Sequence, residues 1–146
     1  METLYLLDTN IILHYARRSM VQQKMEPEYR LLSRSEVALI SYVSEAEART
    51  MAAYREWGKP ALTQLEFVLE AFRIVPIEHE EILKAYTEVD VYSRKQGIKM
   101  GKNDLWIAAT VRITGAILLT TDMDFDHLDG VLIAREWVDP IVERQS

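Results

Sequence analysis

Four acidic residues, Asp8, Glu47, Asp104 and Asp122, stand far apart in the chain, yet each falls beside a short apolar run. Asp8 follows LYLL, Glu47 lies just past ALISYV, Asp104 opens DLWIAATVRIT and Asp122 follows AILLTT. Carboxylates brought together repel one another, which raises their pKa values and costs stability unless a cation or hydrogen bonds compensate. A hard divalent ion such as Mg²⁺ or Mn²⁺ takes oxygen ligands and needs only one or two direct carboxylates plus substrate phosphate. Convergence of these four residues would therefore make a metal site for phosphoryl chemistry. The competing reading of each is structural: Asp8 and Asn10 cap a helix, Ser44-x-x-Glu47 forms a capping box, Asn103 and Asp104 start a helix, and Asp122 belongs to a turn.

The elements around them decide the matter. Leu4–Leu7 reads as a buried strand ending at Asp8, and Val37–Val43 and Ala116–Thr121 read as further strands. Arg73–Ile77 is a weaker strand, with Pro76 favouring an edge, and Val131–Ala134 a last short one. Between them the pattern predicts helices over 11–18, 27–33 with Pro27 in the first turn, 44–57 ended by Gly58, 60–72, 80–95 and 102–114 ended by Gly115. Ile82, Leu83, Tyr86 and Val89 form the apolar stripe of the fifth helix. Asp122–Asp129 is a turn holding one helical turn, and the tail after Pro140 is peripheral. Strands alternating with helices predict an α/β fold, a three-layer α/β/α sandwich around a mostly parallel, roughly five-stranded sheet. In such a sheet all strand carboxyl ends share one edge, and helices following or preceding strands begin there. That rule delivers Asp8, Glu47, Asp104 and Asp122 to one rim. Glu45 cannot join Glu47, because two helical steps turn about 200°.

The 146 residues suit one domain, 1–146. A net charge of -6, from 17 basic and 23 acidic residues, argues against a passive nucleic-acid clamp but not against a nuclease that binds cations. The chain has no cysteine, so disulfides and thiolate sites are excluded, in keeping with a cytoplasmic protein. No apolar run approaches a membrane span. His14, His79 and His127 lack metal-ligand spacing and read as structural or surface residues. GIKMGKN, Gly97–Asn103, fails as a phosphate loop in spacing and context. Arg94, Lys95, Lys99 and Lys102, with no acid among them, are instead candidates for phosphate contacts. Trp106 reads as core.

LLDTNII, ISYVSEAE, KNDLWIAA and LLTTDMDF, in this order across nearly the whole chain, resemble the PIN-domain ribonucleases, and especially the VapC-like toxins of prokaryotic toxin–antitoxin pairs. Ala48 and Arg49 stand where many such toxins have Leu and Gly. The resemblance implies that Asp8, Glu47, Asp104 and Asp122 are catalytic, with Asp8, Asp104 and Asp122 holding Mg²⁺ or Mn²⁺. Asn10 or Thr9, together with Thr120, would give polar support. It further implies an endoribonuclease acting on single-stranded or structured RNA, tRNA included, as a homodimer neutralised by an antitoxin. The residues also admit a catalytically weak PIN-fold module that binds a protein or RNA through Tyr15, Met20, Tyr42 and Met51. A phosphohydrolase using Asp8 as nucleophile is disfavoured, because Asn10 stands where a second Asp is usual.

Overall fold

The computed structural model describes residues 2–141; residues 142–146, most of the tail expected to be peripheral, lie outside them. Five strands, β1 Tyr5–Leu7, β2 Leu39–Ser41, β3 Arg73–Val75, β4 Ile117–Thr120 and β5 Ala134–Trp137, form one sheet. Their order is β3-β2-β1-β4-β5, and every pairing is parallel. Registers such as Leu7↔Ile40 and Leu7↔Leu119 put β1, β2 and β4 level at their carboxyl ends. Six helices cover the sheet: α1 Thr9–Arg17, α2 Met20–Tyr29, α3 Tyr42–Tyr54, α4 Lys59–Ala71, α5 Glu80–Lys95 and α6 Lys102–Thr114.

Side chains alternate along a strand, so neighbours in sequence serve opposite faces. Leu7, Ile40 and Leu119 pack with α1, α3 and α4 through Ile11, Ala48 and Leu65, while Leu6, Leu39 and Leu118 pack with α5 and α6 through Val89, Leu105 and Val111. Both cores are needed because the central strands are apolar on both sides. At the edges, β3 is largely exposed, as Pro76 predicts, and β5 reads AREW. This is the expected α/β/α sandwich, with the sheet entirely parallel.

Several boundaries differ from the sequence pattern, each for a local reason. The third helix starts at Tyr42, capped by Ser41, whose Oγ accepts from the Val43 N–H at 3.2 Å. Ser44 is therefore inside the helix, fully buried with its Oγ unpartnered, and the Ser44-x-x-Glu47 capping box does not form. Gly58 caps the start of α4 rather than ending α3, whose last residue is Tyr54. The second helix starts at Met20, well before Pro27, because Ser19 caps it with its Oγ accepting from Gln22 N–H; Pro27 sits inside that helix, lacking the N–H that Gln23's carbonyl would take. The last strand begins at Ala134, because residues 130–133 are used in a tight turn in which Gly130 (φ 77°) donates to Ile133's carbonyl. Leu83, expected in the stripe of α5, is exposed, and Tyr15, expected at the surface, is buried. No helix among the described residues is long and apolar enough to cross a membrane.

Candidate metal centre

Asp8 is placed by the sheet itself. Its backbone N–H donates to Leu119's carbonyl at 2.9 Å, the last bond of the β1–β4 ladder, and its extended backbone makes it the N-cap of α1. Asp8 is 4% exposed. Oδ1 accepts from Thr9 N–H and Oδ2 from Thr120 Oγ1, both at 2.7 Å. Burial pushes its pKa up to about 6, the neighbouring Asp122 and Glu47 add to the rise, and the two donors oppose it. With both oxygens engaged, Asp8 is poorly disposed to be a covalent nucleophile. Thr120, fully buried at the end of β4, also accepts Asp122's backbone N–H at 2.9 Å, so one hydroxyl fixes two of the acidic positions.

Glu47 lies in the second turn of α3, not the first, because that helix begins at Tyr42 rather than after a Ser44 cap. Its Oε1 accepts from Thr9 Oγ1 at 2.7 Å and its Oε2 from Asn103 Nδ2 at 3.0 Å. Of the two residues offered as support beside Asp8, Thr9 makes this bond; Asn10 is exposed at the cleft. The sequence pattern assigns Asn103 only to a helix start, whereas its side chain reaches the site. Asp104, in the first turn of α6, is half-buried, and its pKa is pushed up to about 7 by burial first and then by Asp8, Asp122, Asp124 and Glu47. The helix N-terminus partly offsets that repulsion.

Asp122 Oδ1 accepts the Asp124 N–H at 2.9 Å, turning the loop after β4 back toward α6. One carboxylate oxygen from each of Asp104, Asp122 and Asp124 lies within 4.8 Å of the others. Asp124 is absent from the residues expected at the site, although an acid two places after Asp122 in LLTTDMDF is an available signal. Its pKa is raised, by burial and then by Asp122. Three oxygen donors in one cluster, beside the buried Asp8 carboxylate, match the demands of a hard divalent cation. The donor chemistry therefore fits a hard divalent cation; of the expected ligands Asp104 and Asp122 lie in this cluster with Asp124, and Asp8 lies outside it, lining the same cleft.

Asp8, Glu47, Asp104 and Asp122 open into a cleft of about 540 Å³. Arg94, Lys95, Lys99 and Lys102 do not line it, and Arg94 is paired with Asp90 at 2.8 Å. Two basic residues that do line it, Arg17 and Arg55, are not among the expected site residues. The histidines take structural contacts: His14 with Ser19 Oγ at 2.8 Å, His79 capping α5, and His127 with Ser93 Oγ at 2.8 Å. His14 nevertheless borders the cleft, and burial lowers its pKa. Trp106 stacks obliquely on Tyr86, and Glu45 bridges to Arg49, clear of the acids.

The chain matches known proteins along most of its length. It is 28% identical over 117 residues to Ribonuclease VapC1 of Haemophilus influenzae (strain R2866), covering 80% of this chain and 85% of that protein. The fold superposes on VapBC2 from Rickettsia felis, solved bound to a DNA fragment from its promoter, with a TM-score of 0.77, 22% identity, and coverage of 94% of this chain and 100% of that one. It also superposes on VapBC-5 from Mycobacterium tuberculosis, a member of the VapBC family of toxin–antitoxin systems, with a TM-score of 0.65, 20% identity, and coverage of 94% and 98%. The PIN domain model matches residues 5–131, a span that begins with β1 and takes in every acidic residue of the cleft, and the chain belongs to the PIN-domain family.

Proposed function

We propose that this chain is a metal-dependent endoribonuclease and the toxin of a toxin–antitoxin pair. The observation that carries the reading is the cluster of Asp104, Asp122 and Asp124 beside the buried Asp8, with an anchored Glu47, at the carboxyl edge of a parallel sheet. Mg²⁺ or Mn²⁺, held by Asp8, Asp104 and Asp122 with Asp124 beside them, would supply Lewis-acid stabilisation of the charge developing on the phosphoryl group. Glu47 is kept in one orientation by Thr9 and Asn103, so it orients the attacking water and takes its proton. Thr120 and the Thr9 N–H hold Asp8 in place, and Asp104 must give up its proton before it can ligate, which favours activity above neutral pH. Lys95, Lys99 and Lys102 would meet RNA outside the cleft.

The kinship with a VapC ribonuclease and with solved VapBC complexes supports RNA as substrate and an antitoxin as partner. Homodimerisation, a single domain and a cytoplasmic setting complete the reading. Purified protein should cut single-stranded RNA with Mg²⁺ or Mn²⁺, stop on chelation, and lose at least about a hundredfold in rate in Asp8→Asn and in Asp104→Asn. Undiminished cutting by both variants would remove these residues from the chemistry.

A further inference from the structure

Helices α1 and α3 both follow strands of a parallel sheet, so both begin at its carboxyl edge and run away from it side by side. Among the residues that line the cleft, two series recur every four positions: Thr9, Leu13 and Arg17 on α1, with Asn10 and His14 beside them, and Glu47 and Met51 on α3 followed by its C-cap Arg55. The two series match rung by rung. A polar rung beside the acidic cluster is followed by an apolar rung and then by a cationic rung. Each step of four residues advances about 6 Å, so the arginines stand roughly 12 Å along the helices from the acids.

Arg17 and Arg55 share a cleft with four carboxylates, yet among the described residues neither takes an ion pair or a side-chain hydrogen bond. Arg49, Arg94, Arg112 and Arg135, by contrast, are all paired with carboxylates. The Arg17 guanidinium lies over the Trp57 ring, 5.3 Å from its centroid, and Trp57 is half-buried against the core. Stacking engages one face of a guanidinium and leaves its N–H edge free, in a fixed plane suited to phosphate oxygens. A cleft that is anionic at one end and cationic at the other, with no pairing between the ends, asks for a ligand of the reverse polarity.

We propose that Arg17 and Arg55 form a subsite for a phosphate flanking the scissile one, with the intervening base or ribose against Leu13 and Met51. This rests on the ribonuclease reading and adds the direction in which the RNA leaves the acidic centre inside the cleft: along the α1–α3 groove. An acidic peptide would meet the same guanidinium groups. The apolar rung set between the charged ones favours a nucleotide, whose phosphates are spaced by a sugar and a stackable base.

The test uses the full chain carrying Asp104→Asn, so that binding is read without turnover, and a fluorescent single-stranded oligoribonucleotide in MgCl2 at several salt concentrations. Adding Arg17→Ala and Arg55→Ala should weaken binding at least about tenfold and flatten the salt dependence by about 0.7 in log–log slope for each phosphate no longer neutralised. Arg17→Lys with Arg55→Lys should keep the slope while losing part of the affinity. In the Asp104→Asn background without these changes, a polyglutamate peptide should compete only weakly. Thermal melts separate this from a purely helix-capping role, which would lower the melting temperature and leave affinity alone. Unchanged affinity and slope in the alanine pair would overturn the subsite, as would strong polyglutamate competition, which would assign the arginines to a protein partner. A wild-type chain that leaves RNA intact refutes the ribonuclease reading separately, because the binding arms require no cleavage.

Discussion

Replacing Asp104 by Asn should stabilise the metal-free protein, and the size of the effect should depend on pH in a defined direction. Asp104's pKa rises from 3.8 to about 7 on folding. In a fully buried group that change corresponds to about 4 kcal/mol, at about 1.4 kcal/mol per pKa unit. Asp104 is only half-buried, so solvent screening reduces the figure to about 1–2 kcal/mol. Because the folded pKa lies above the unfolded one, the folded state holds the extra proton between pH 3.8 and about 7. Wild-type stability from this group is therefore present in acid and lost as pH rises through that window. Asn carries no charge and escapes the loss. In EDTA, Asp104→Asn should melt close to wild type near pH 4 and roughly 2–8 °C higher at pH 8. Saturating Mg²⁺ should reverse the order, since a ligand at a hundred times its Kd adds about 2.7 kcal/mol to the protein that binds it. Differential scanning fluorimetry across pH, with and without MgCl2, reads both halves. A variant that melts below wild type at pH 8 in EDTA, or a gap that ignores pH, would refute the electrostatic account of the cluster.

Two further outcomes follow from individual hydrogen bonds. Thr120→Val keeps the shape of a buried residue but removes the donor to Asp8 Oδ2 and the acceptor for Asp122 N–H; it should cost about 1–3 kcal/mol in denaturant unfolding and weaken Mg²⁺ binding by calorimetry, and unchanged metal affinity would contradict the role given to it. Ser44→Ala removes a buried hydroxyl that has no partner, so chemical denaturation should find the variant equal to or about 1 kcal/mol more stable than wild type; a destabilisation of more than about 1 kcal/mol would mean that the hydroxyl is satisfied in solution.

Much of this molecule is written locally. Apolar runs ending at Asp8 and Thr120, Gly115 in its left-handed cap, and the amphipathic stretch Glu80–Lys95 specify strands and helices through backbone and burial preferences that act within a few residues. Parallel topology then follows from their alternation, and with it the edge at which Asp8, Glu47, Asp104 and Asp122 gather. What the sequence left open depends on side chains that meet only after the layers close. The pattern runs the strand to Val43 and starts the helix at Ser44, whereas β2 ends at Ser41 in its pairing with β3 and Ser41 takes the cap. Asp124 reaches Asp104 because the loop after β4 folds back on an Asp122 hydrogen bond, and Glu47 finds Thr9 and Asn103 across three helices. Arg17 and Arg55 join one groove for the same reason: four-residue periodicity tells which side of a helix a residue occupies, but only the docking of α1 against α3 decides what that side faces.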